Sequence, residues 1–364
     1  MKILFLTNIP SPYRLDFFNE LGKWCELTVA FERESSSERD SSWKHYKIEN
    51  FTPIFLKGIK WGYAGAFCPE VVNFLRKNKY DHIIVTNFTS PTGMLAIVRM
   101  RARKIPYWLE SDGGFAKDHG GIKEKIKNFF IKDAAGYFST AEEHDKYYLQ
   151  YGAQPDRLIR YPFTSLHKAD ILSKPVPQEQ KCQLRKELDI TETKIIVAVG
   201  QFVPRKGFDI LIDAMALLPS YIGCYIIGGQ PTQEYIDQVS KHGVANVHFV
   251  GFQKKADLMK YYLSADLFVH PTREDIWGLV VNEAMANGLP VITTDRCIAG
   301  LELIKDPAIG AIVPVGNAKL LAEAICNTFE RIDDTTAYKV LDVIRGYSFE
   351  EMVRRHNEVL REQL

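Results

Sequence analysis

The chain has 364 residues, too many for one ordinary α/β core and about right for two. Its hydrophobic content of 46%, charged content of 25% and net charge of +1 are those of a soluble globular protein without the strong positive field of nucleic-acid binders. No run approaches the roughly 18 apolar residues of a membrane span, and the cysteines lack the paired spacing of a metal site or disulfide framework.

In chain order, the first half alternates predicted strands with predicted helices. Residues 2–7 read as a buried strand, too short for the apolar core of a signal peptide. A helix follows, with Leu15, Phe18 and Leu21 at helical spacing, and residues 33–44 form a polar, serine-rich loop. Further strands are expected at 25–31, 81–86, 106–110, 136–140 and 157–161, and further helices at 71–77, 92–103, 121–132 and 142–151.

The alternation lapses at residues 165–185, where prolines and polar residues predict a linker, and resumes at 194. Strands are expected at 194–200, 224–227, 247–250, 267–270 and 291–293, with helices at 208–218, 232–242, 256–263, 279–287, 318–331 and from about 347 onward.

Strands that alternate with helices imply parallel sheets joined by right-handed crossovers. The predicted fold is therefore α/β, with two doubly wound Rossmann-like domains at 1–170 and 186–345 and a C-terminal helix at 346–364 that packs back on the first domain. Ligands bind outside the carboxyl ends of such strands, so a cleft between facing domains is the default site.

Two cations stand after the first strand of the second half, in the run Gly200-Gln-Phe-Val-Pro-Arg205-Lys206-Gly207. A diphosphate would lie at this rim, where a charge-assisted bond to phosphate contributes about 1.5–3 kcal/mol. Solvated surface charge is the competing interpretation, and the position after a buried strand favours the phosphate.

Two carboxylates, Asp275 and Glu283, bracket a Trp-Gly turn and the start of a helix. The backbone amides near Ile276, Trp277 and Gly278 would point from the helix N-terminus toward an anion. Glu283 is suited to accept hydrogen bonds from hydroxyl groups. The competing interpretation is that Asp275 caps the helix and Glu283 is solvated.

The second half resembles the donor-binding domain of retaining GT-B glycosyltransferases of family 4, the glycosyl transferases group 1, of the type that builds surface polysaccharides. The resemblance covers about 194–350 and is fainter in the first half. It is carried by Gly200 with Lys206-Gly207, by the segments 246–251, 262–271, 275–292 and 310–314, and by the late helix at 318–331.

By that resemblance, Lys206 contacts the diphosphate, Glu283 binds the nucleotide ribose and Asp275 contacts hydroxyls of the donor sugar. The amides of Trp277, Gly278 and Leu279 receive a phosphate. Such enzymes use no bound metal and no cofactor besides the donor, since cations and amides offset the charge on the departing diphosphate.

The second half departs from the family pattern at two positions. Asp275 stands where the family has Glu, and the adjacent Glu274 is a candidate substitute. Gln201 stands where the family often has Arg, and it lacks the guanidinium charge, so Arg205 is expected to take over.

The first half departs at two more positions. The usual Gly-Gly pair is absent, and Arg14 in the loop after the first strand is either an anion contact or a surface residue at a helix start. Asp112 occupies the family's catalytic histidine position, and it either faces the transferred sugar or belongs to an ordinary turn.

A basic helix is expected at 121–132, where apolar residues at helical spacing alternate with lysines. A core-facing helix with a solvated basic face is one interpretation. The other is an interfacial helix that docks on anionic lipid, which would suit a lipid-linked acceptor.

The sequence thus predicts a glycosyltransferase that uses a nucleotide diphosphate sugar and a glycan or glycolipid acceptor, in the cytoplasm or at the inner face of the membrane. Candidate catalytic residues are Asp112, Arg205, Lys206 and Asp275. A non-catalytic partner with a degraded donor site is the second hypothesis. A nicotinamide dehydrogenase lacks support, because no Gly-x-Gly-x-x-Gly follows a first strand, and a solute-binding protein lacks it, because no secretion signal is present.

Overall fold

The computed structural model describes residues 1–34, 47–62, 64–117 and 120–363, and it divides the chain into two compact units. Unit 1 comprises residues 1–165 and 348–364, and unit 2 comprises residues 166–347. Residues 35–44 of the predicted serine-rich loop lie outside the described residues.

Strands alternate with helices through both units, except between Phe31 and His82, where the described residues contain no α-helix. In chain order the strands are β1 (Lys2–Thr7), β2 (Glu26–Phe31), β3 (Thr52–Phe55), β4 (Ile59–Trp61), β5 (Gly65–Phe67), β6 (His82–Val85), β7 (Trp108–Glu110), β8 (Gly136–Ser139), β9 (Leu158–Arg160), β10 (Lys194–Val199), β11 (Ile222–Ile227), β12 (Val247–Val250), β13 (Leu267–His270), β14 (Val291–Thr294) and β15 (Gly310–Val313).

The helices are α1 (Pro12–Leu21), α2 (Pro91–Ala102), α3 (Gly121–Ile131), α4 (Glu142–Gln150), α5 (Gln178–Glu187), α6 (Phe208–Met215), α7 (Gln233–His242), α8 (Lys255–Ser264), α9 (Leu279–Ala286), α10 (Ile298–Leu303), α11 (Ala318–Arg331), α12 (Thr336–Ile344) and α13 (Phe349–Glu362). Within the described residues, no helix is both long and apolar enough to cross a membrane.

Unit 1 is built on a parallel sheet with the strand order β3-β2-β1-β6-β7-β8-β9, and β4 and β5 form a separate two-stranded antiparallel sheet. Along β1, alternate side chains serve the two faces of the sheet. Leu4 and Leu6 join a core cluster on one face. Phe5 packs against Phe17 and Phe18 of α1, with ring centroids 6.0 and 5.1 Å apart. Burying each such ring stabilises the fold by about 1.5–3 kcal/mol.

Unit 2 contains a second parallel sheet, in the order β12-β11-β10-β13-β14-β15. Its central strands β10 and β13 are buried along most of their length, as their continuous apolar sequences predict for strands covered by helices on both faces. Leu211 and Ile212 of α6 pack on Ile196 and Ala198 in one core cluster.

Each sheet has a point where the strand order reverses, between β1 and β6 in unit 1 and between β10 and β13 in unit 2. The loops that leave the two central strands at such a point diverge and form a crevice in which doubly wound proteins bind ligands. Lys206 follows β10 and Asp275 follows β13, while Arg14 follows β1. The topology thus brings the predicted site residues of each unit to this edge.

Two local predictions are wrong. The predicted linker at 165–185 holds the start of α5, which has no buried residue and therefore no apolar periodicity to reveal it. Arg185 fixes this helix by hydrogen bonds to the Ser264 carbonyl (2.9 Å) and Asp266 (2.8 Å). The helix predicted at 71–77 is only a 3-10 turn, Pro69–Asn73.

The predicted basic helix exists as α3, but its interpretation as a core-facing helix is wrong for most of its apolar residues. Ile122 is 76% exposed, and Ile126 and Phe129 are more than two-fifths exposed. Among the described apolar side chains of α3, Ile131 alone is buried.

Candidate active site

The loop after β10 carries Arg205 and Lys206 on a short 3-10 turn, Pro204–Lys206. Gly207 ends this turn with φ +69° and opens α6. A Cβ atom at Gly207 would lie 2.1 Å from the carbonyl oxygen of Pro271, in the loop after β13. Glycine is required here because the backbone is left-handed and another backbone segment approaches closely.

The loops after β10 and β13 are tied together by hydrogen bonds. The Arg205 carbonyl accepts from the backbone amide of Arg273 (2.8 Å) and from the Thr272 hydroxyl (3.0 Å). The Arg273 guanidinium donates to both carboxylate oxygens of Asp209, at 2.8 and 2.6 Å. Paired bonds of this kind fix geometry as well as charge, so the cations of the first loop are held against the second.

Lys206 contacts Asp275, with 2.6 Å between Nζ and Oδ2. Both side chains are largely buried, at 13% and 14% exposed. Arg205 is half-exposed and approaches the same carboxylate at 3.4 Å, and it donates to the Glu274 carbonyl at 3.0 Å. Asp275 therefore neutralises part of the positive charge of Lys206 and Arg205, the two cations for which the sequence predicts a phosphate ligand.

His270, the last residue of β13, is the third partner of Asp275, with 3.1 Å between Nε2 and Oδ2. Burial lowers the pKa of His270, so the ring is neutral and Nε2 carries the proton. Although burial alone would raise it, the bond from His270 and the charge of Lys206 hold the pKa of Asp275 well below its usual range. Asp275 is consequently an ionised acceptor.

The segment before α9 presents backbone donors. Gly278 caps the helix with φ +105°, and a Cβ there would lie 2.8 Å from the Cys297 sulfur. The buried Trp277 ring fixes the turn by donating to Asn282 at 2.7 Å. Within the part of the chain that the structure describes, the amides of Ile276, Gly278 and Leu279 donate to no other group. Such helix-start amides are suited to bind an anion.

Glu283 lies one turn into α9, where its carboxylate accepts from the Tyr262 hydroxyl at 3.2 Å. Burial raises the pKa of Glu283 to about 7, against the opposing effect of the Tyr262 bond. The interpretation of Glu283 as a solvated residue is therefore wrong. A carboxyl group with this pKa can accept a hydrogen bond from a ligand hydroxyl once it is ionised.

Two predicted residues of unit 2 stand apart from the Lys206–Asp275 pair. The Glu274 carboxylate accepts from Arg296 at 2.7 Å. Gln201 is exposed immediately after β10. The structure thus places Asp275, and not Glu274, on the cations.

In unit 1 the structure brings Arg14 and Asp112 together. The Arg14 guanidinium donates through one nitrogen to Glu110 and through the other to Asp112, and the Tyr13 hydroxyl donates to the second oxygen of Asp112. Arg14 is 4% exposed, so its interpretation as a surface residue is wrong. Asp112 is held on both oxygens, which is more than an ordinary turn residue requires.

The sequence interpretation missed His270, Tyr262, Glu110 and Tyr13. A usable signal existed for His270 and Glu110, since each is a polar residue that ends an otherwise apolar strand at the ligand-binding edge. No comparable signal marks Tyr262 or Tyr13, which are ordinary helix residues by pattern.

The comparison with protein families decides the classification of unit 2. Residues 180–331 match the family described as glycosyl transferases group 1. Unit 2 carries a group 1 glycosyltransferase domain. The recognition made from the sequence motifs is thereby confirmed, and the matched residues include the Lys206 loop and the whole of α9.

Two proteins that are similar to the group 1 domain have names that refer to lipopolysaccharide. The chain is 29% identical over 152 residues to the lipopolysaccharide glucosyltransferase WaaG of Escherichia coli K12, a match spanning 40% of each chain. It is 31% identical over 144 residues to the lipopolysaccharide core biosynthesis glycosyltransferase LpsE of Rhizobium meliloti, spanning 39% of this chain and 41% of LpsE. The matches thus span about two-fifths of the length of these relatives.

A solved structure matches the whole chain. Anabaena HepE in complex with UDP aligns over 100% of both chains with a TM-score of 0.78 and 17% sequence identity. At this identity the likeness concerns the fold. It confirms the predicted GT-B class, with two doubly wound α/β units, one of them containing the group 1 domain.

The geometry of the group 1 domain suits one kind of ligand. Two cations, Arg205 and Lys206, lie beside free backbone donors at the reversal point of the sheet, and a carboxylate follows one helical turn later. Cations and amides bind phosphate oxygens, and a carboxylate binds hydroxyls. A molecule with phosphates next to a polyhydroxylated ring combines both demands.

Proposed function

We propose that the chain is a glycosyltransferase that moves a sugar from a nucleotide diphosphate sugar to a glycan or glycolipid acceptor of surface polysaccharide biosynthesis. The observation that carries the proposal is the convergence of Lys206, Arg205 and the amides before α9 at the reversal point of a group 1 domain. The names of WaaG and LpsE, which refer to lipopolysaccharide, support the acceptor class, and the UDP bound to HepE supports the donor class.

Catalysis is proposed to depend on stabilising the leaving diphosphate. As the bond from sugar to phosphate breaks, negative charge grows on the phosphate oxygens, and preorganised donors that face this charge accelerate the step. Lys206 and Arg205 would supply the positive charge without a metal ion. Glu283 would accept hydrogen bonds from the ribose.

Retention of anomeric configuration is the second part of the proposal. Asp275, with its depressed pKa and its contacts to Lys206 and His270, is a weak nucleophile and a weak base. The transition state would be oxocarbenium-like, and the leaving phosphate would take the proton of the incoming hydroxyl. In unit 1, Asp112 is proposed to face the transferred sugar.

The test is turnover with UDP-, GDP- and ADP-sugars, followed as release of the nucleoside diphosphate, with Lys206→Ala as the variant. We expect the rate to fall by at least roughly 100-fold, as for other removed transition-state donors. Lys241→Ala, at an exposed lysine at the end of α7, is the matched control. Unchanged turnover in Lys206→Ala would contradict the proposal, and donor binding without turnover in the wild type would support the non-catalytic alternative.

A membrane-bound acceptor is supported by the outer surface of α3. Ile122 and Ile126 are exposed beside the exposed Lys123 and Lys125, a combination that partitions into the interface of an anionic bilayer. We expect the protein to sediment with vesicles containing anionic phospholipid and the variant Ile122→Glu to lose this binding.

The matched control for the vesicle experiment is Leu217→Glu, since Leu217 of unit 2 is also exposed and apolar. Equal sedimentation of all three proteins, or binding to neutral vesicles alone, would contradict docking through α3.

A further inference from the structure

The C-terminal helix α13 carries a buried histidine into the Asp112 network of unit 1. His356 is fully buried, and its Nε2 lies 3.1 Å from Oε2 of Glu110. Glu110 is itself fully buried and uses its other oxygen to bind Arg14, which in turn binds Asp112. A continuous path of polar contacts therefore runs from α13 to the partly exposed Asp112.

Both ring nitrogens of His356 face hydrogen-bond acceptors. Its Nδ1 lies 2.8 Å from the carbonyl oxygen of Met352, which can only accept, so Nδ1 carries a proton. Glu110 is ionised beside Arg14 and can only accept as well. Two acceptors therefore face the two ring nitrogens, an arrangement that is satisfied when the ring is an imidazolium with a proton on each nitrogen.

Charge and packing agree with this assignment. The network then contains two cations, His356 and Arg14, and two carboxylates, Glu110 and the partly exposed Asp112, so its charges balance. The His356 ring is stacked on Phe138, with centroids 4.1 Å apart and planes 20° from parallel. An aromatic face favours a cationic ring over a neutral one.

Two further aromatic rings pack against His356. The ring centroid of His356 lies 5.0 Å from that of Phe17 in α1 and 4.7 Å from that of Tyr161, which follows β9. Among the described groups that pack against His356, Glu110 is the ionised partner in direct contact, and Arg14 binds the other oxygen of that carboxylate.

We propose that His356 is a positioning residue, held as an imidazolium, which fixes the Asp112 carboxylate through Glu110 and Arg14. With one oxygen of Glu110 occupied by His356, Arg14 keeps a single nitrogen on Glu110 and directs the other to Asp112. Without His356, Glu110 gains a free oxygen and draws Arg14 into a paired contact. Asp112 then keeps only the Tyr13 bond and loses its fixed orientation.

The first experiment measures the protonation state of wild-type His356 by nitrogen-15 NMR of histidine-labelled protein near pH 7.5. We expect both ring nitrogens of His356 to be protonated, whereas His82 and His144, whose pKa values are lowered by burial, are neutral. A neutral His356 ring overturns the proposal. This measurement does not depend on the proposed glycosyltransferase function.

The second experiment compares His356→Phe with His82→Phe. His82 is the matched control, because it is also buried and contacts α13, where its Nε2 donates to the Leu360 carbonyl at 2.7 Å, and among the described residues it forms no hydrogen bond to a carboxylate. Each substitution removes one hydrogen bond between α13 and the sheet of unit 1, from His356 to Glu110 or from His82 to Leu360, so both report the cost of loosening α13.

The second experiment rests on the proposed glycosyltransferase function, because it measures transfer rates. In His356→Phe we expect the maximal transfer rate to fall about 10- to 100-fold, with the donor KM within about twofold, as for a misplaced catalytic group. His82→Phe should alter thermal stability and leave the rate nearly unchanged. Equal losses of rate in both variants would overturn the positioning role.

His356→Gln keeps a donor to Glu110 without the positive charge, and it serves if His356→Phe fails to fold. We expect a partial recovery of the rate relative to His356→Phe. A wild-type rate in His356→Gln would show that the charge is dispensable and would overturn the imidazolium part. Absence of transfer by the wild type would instead count against the proposed function and leave the NMR result standing.

Discussion

Asp275 and a bound diphosphate would compete for the same two cations, and the substitution Asp275→Asn exposes this competition. The Asp275 carboxylate lies 2.6 Å from Lys206 Nζ and 3.4 Å from Arg205. Removing its charge frees both cations for a phosphate. We therefore expect Asp275→Asn to bind nucleoside diphosphates more tightly while the free protein becomes less stable.

The expected loss of stability lies between two limits. Breaking a fully buried ion pair costs about 3–5 kcal/mol and an exposed one about 0–1 kcal/mol. Lys206 is largely buried and Arg205 half-exposed, so about 2 kcal/mol is expected. For a unit of this size that corresponds to a fall in Tm of roughly 4–8 °C.

The expected gain in UDP affinity comes from removing the repulsion between the Asp275 carboxylate and the diphosphate. A carboxylate about 6 Å from a phosphate charge repels it by about 3 kcal/mol at an effective dielectric constant near 20. Screening by salt reduces this figure, so we expect UDP to bind about 10- to 100-fold more tightly at low ionic strength, less so as salt is added.

Isothermal titration with UDP and thermal unfolding of the same samples measure the two effects. Asp213→Asn removes a half-exposed carboxylate on α6 that pairs with His242, and it controls for the change in net charge. A folded Asp275→Asn protein that binds UDP no better than the wild type would refute the competition.

Two further predictions concern the same unit. Gly207→Ala should lower stability by clearly more than Gly243→Ala. Both positions have left-handed φ, but a Cβ at Gly207 meets the Pro271 carbonyl, whereas no described atom lies within 4 Å of a Cβ at Gly243. Thermal unfolding of the two variants checks this, and equal losses of stability would show that the close approach at Gly207 is absent. The raised pKa of Glu283 implies stability that is full below the unfolded value near 4.5 and declines as the pH rises to about 7. Glu283→Gln should flatten that decline in unfolding experiments, and it should remove a rise in UDP affinity between pH 6 and 8, since a ribose hydroxyl binds the ionised form.

Regular elements could be predicted where their burial leaves an apolar pattern in the local sequence. Continuous apolar strands such as β10 and the apolar periodicity of α1 follow from burial on the sheet. Helix α5 could not be predicted in the same way, since its polar side chains are fixed by contacts to Ser264 and Asp266 far along the chain. The exposed isoleucines of α3 illustrate the converse, because helical spacing indicates a shared face and does not indicate what covers it.

The candidate site could be predicted only as a set of residues. The strand ends and the family motif indicated Lys206, Asp275 and Glu283, but the sequence could not show that Asp275 would form an ion pair with Lys206. Likewise, the sequence suggested Arg14 and Asp112 separately. Their link through Glu110 to a helix more than 200 residues away depends on the tertiary fold alone.

Binding of nucleoside diphosphates to the wild type and to Lys206→Ala tests the central claim most directly. Ligand binding raises Tm with the logarithm of ligand excess, so UDP or another nucleoside diphosphate should stabilise the wild type and Lys241→Ala equally. Lys206→Ala should lose roughly 10- to 100-fold in affinity, as expected for one charge-assisted contact to phosphate. Wild-type affinity in a folded Lys206→Ala protein would contradict the assignment of a diphosphate to this site.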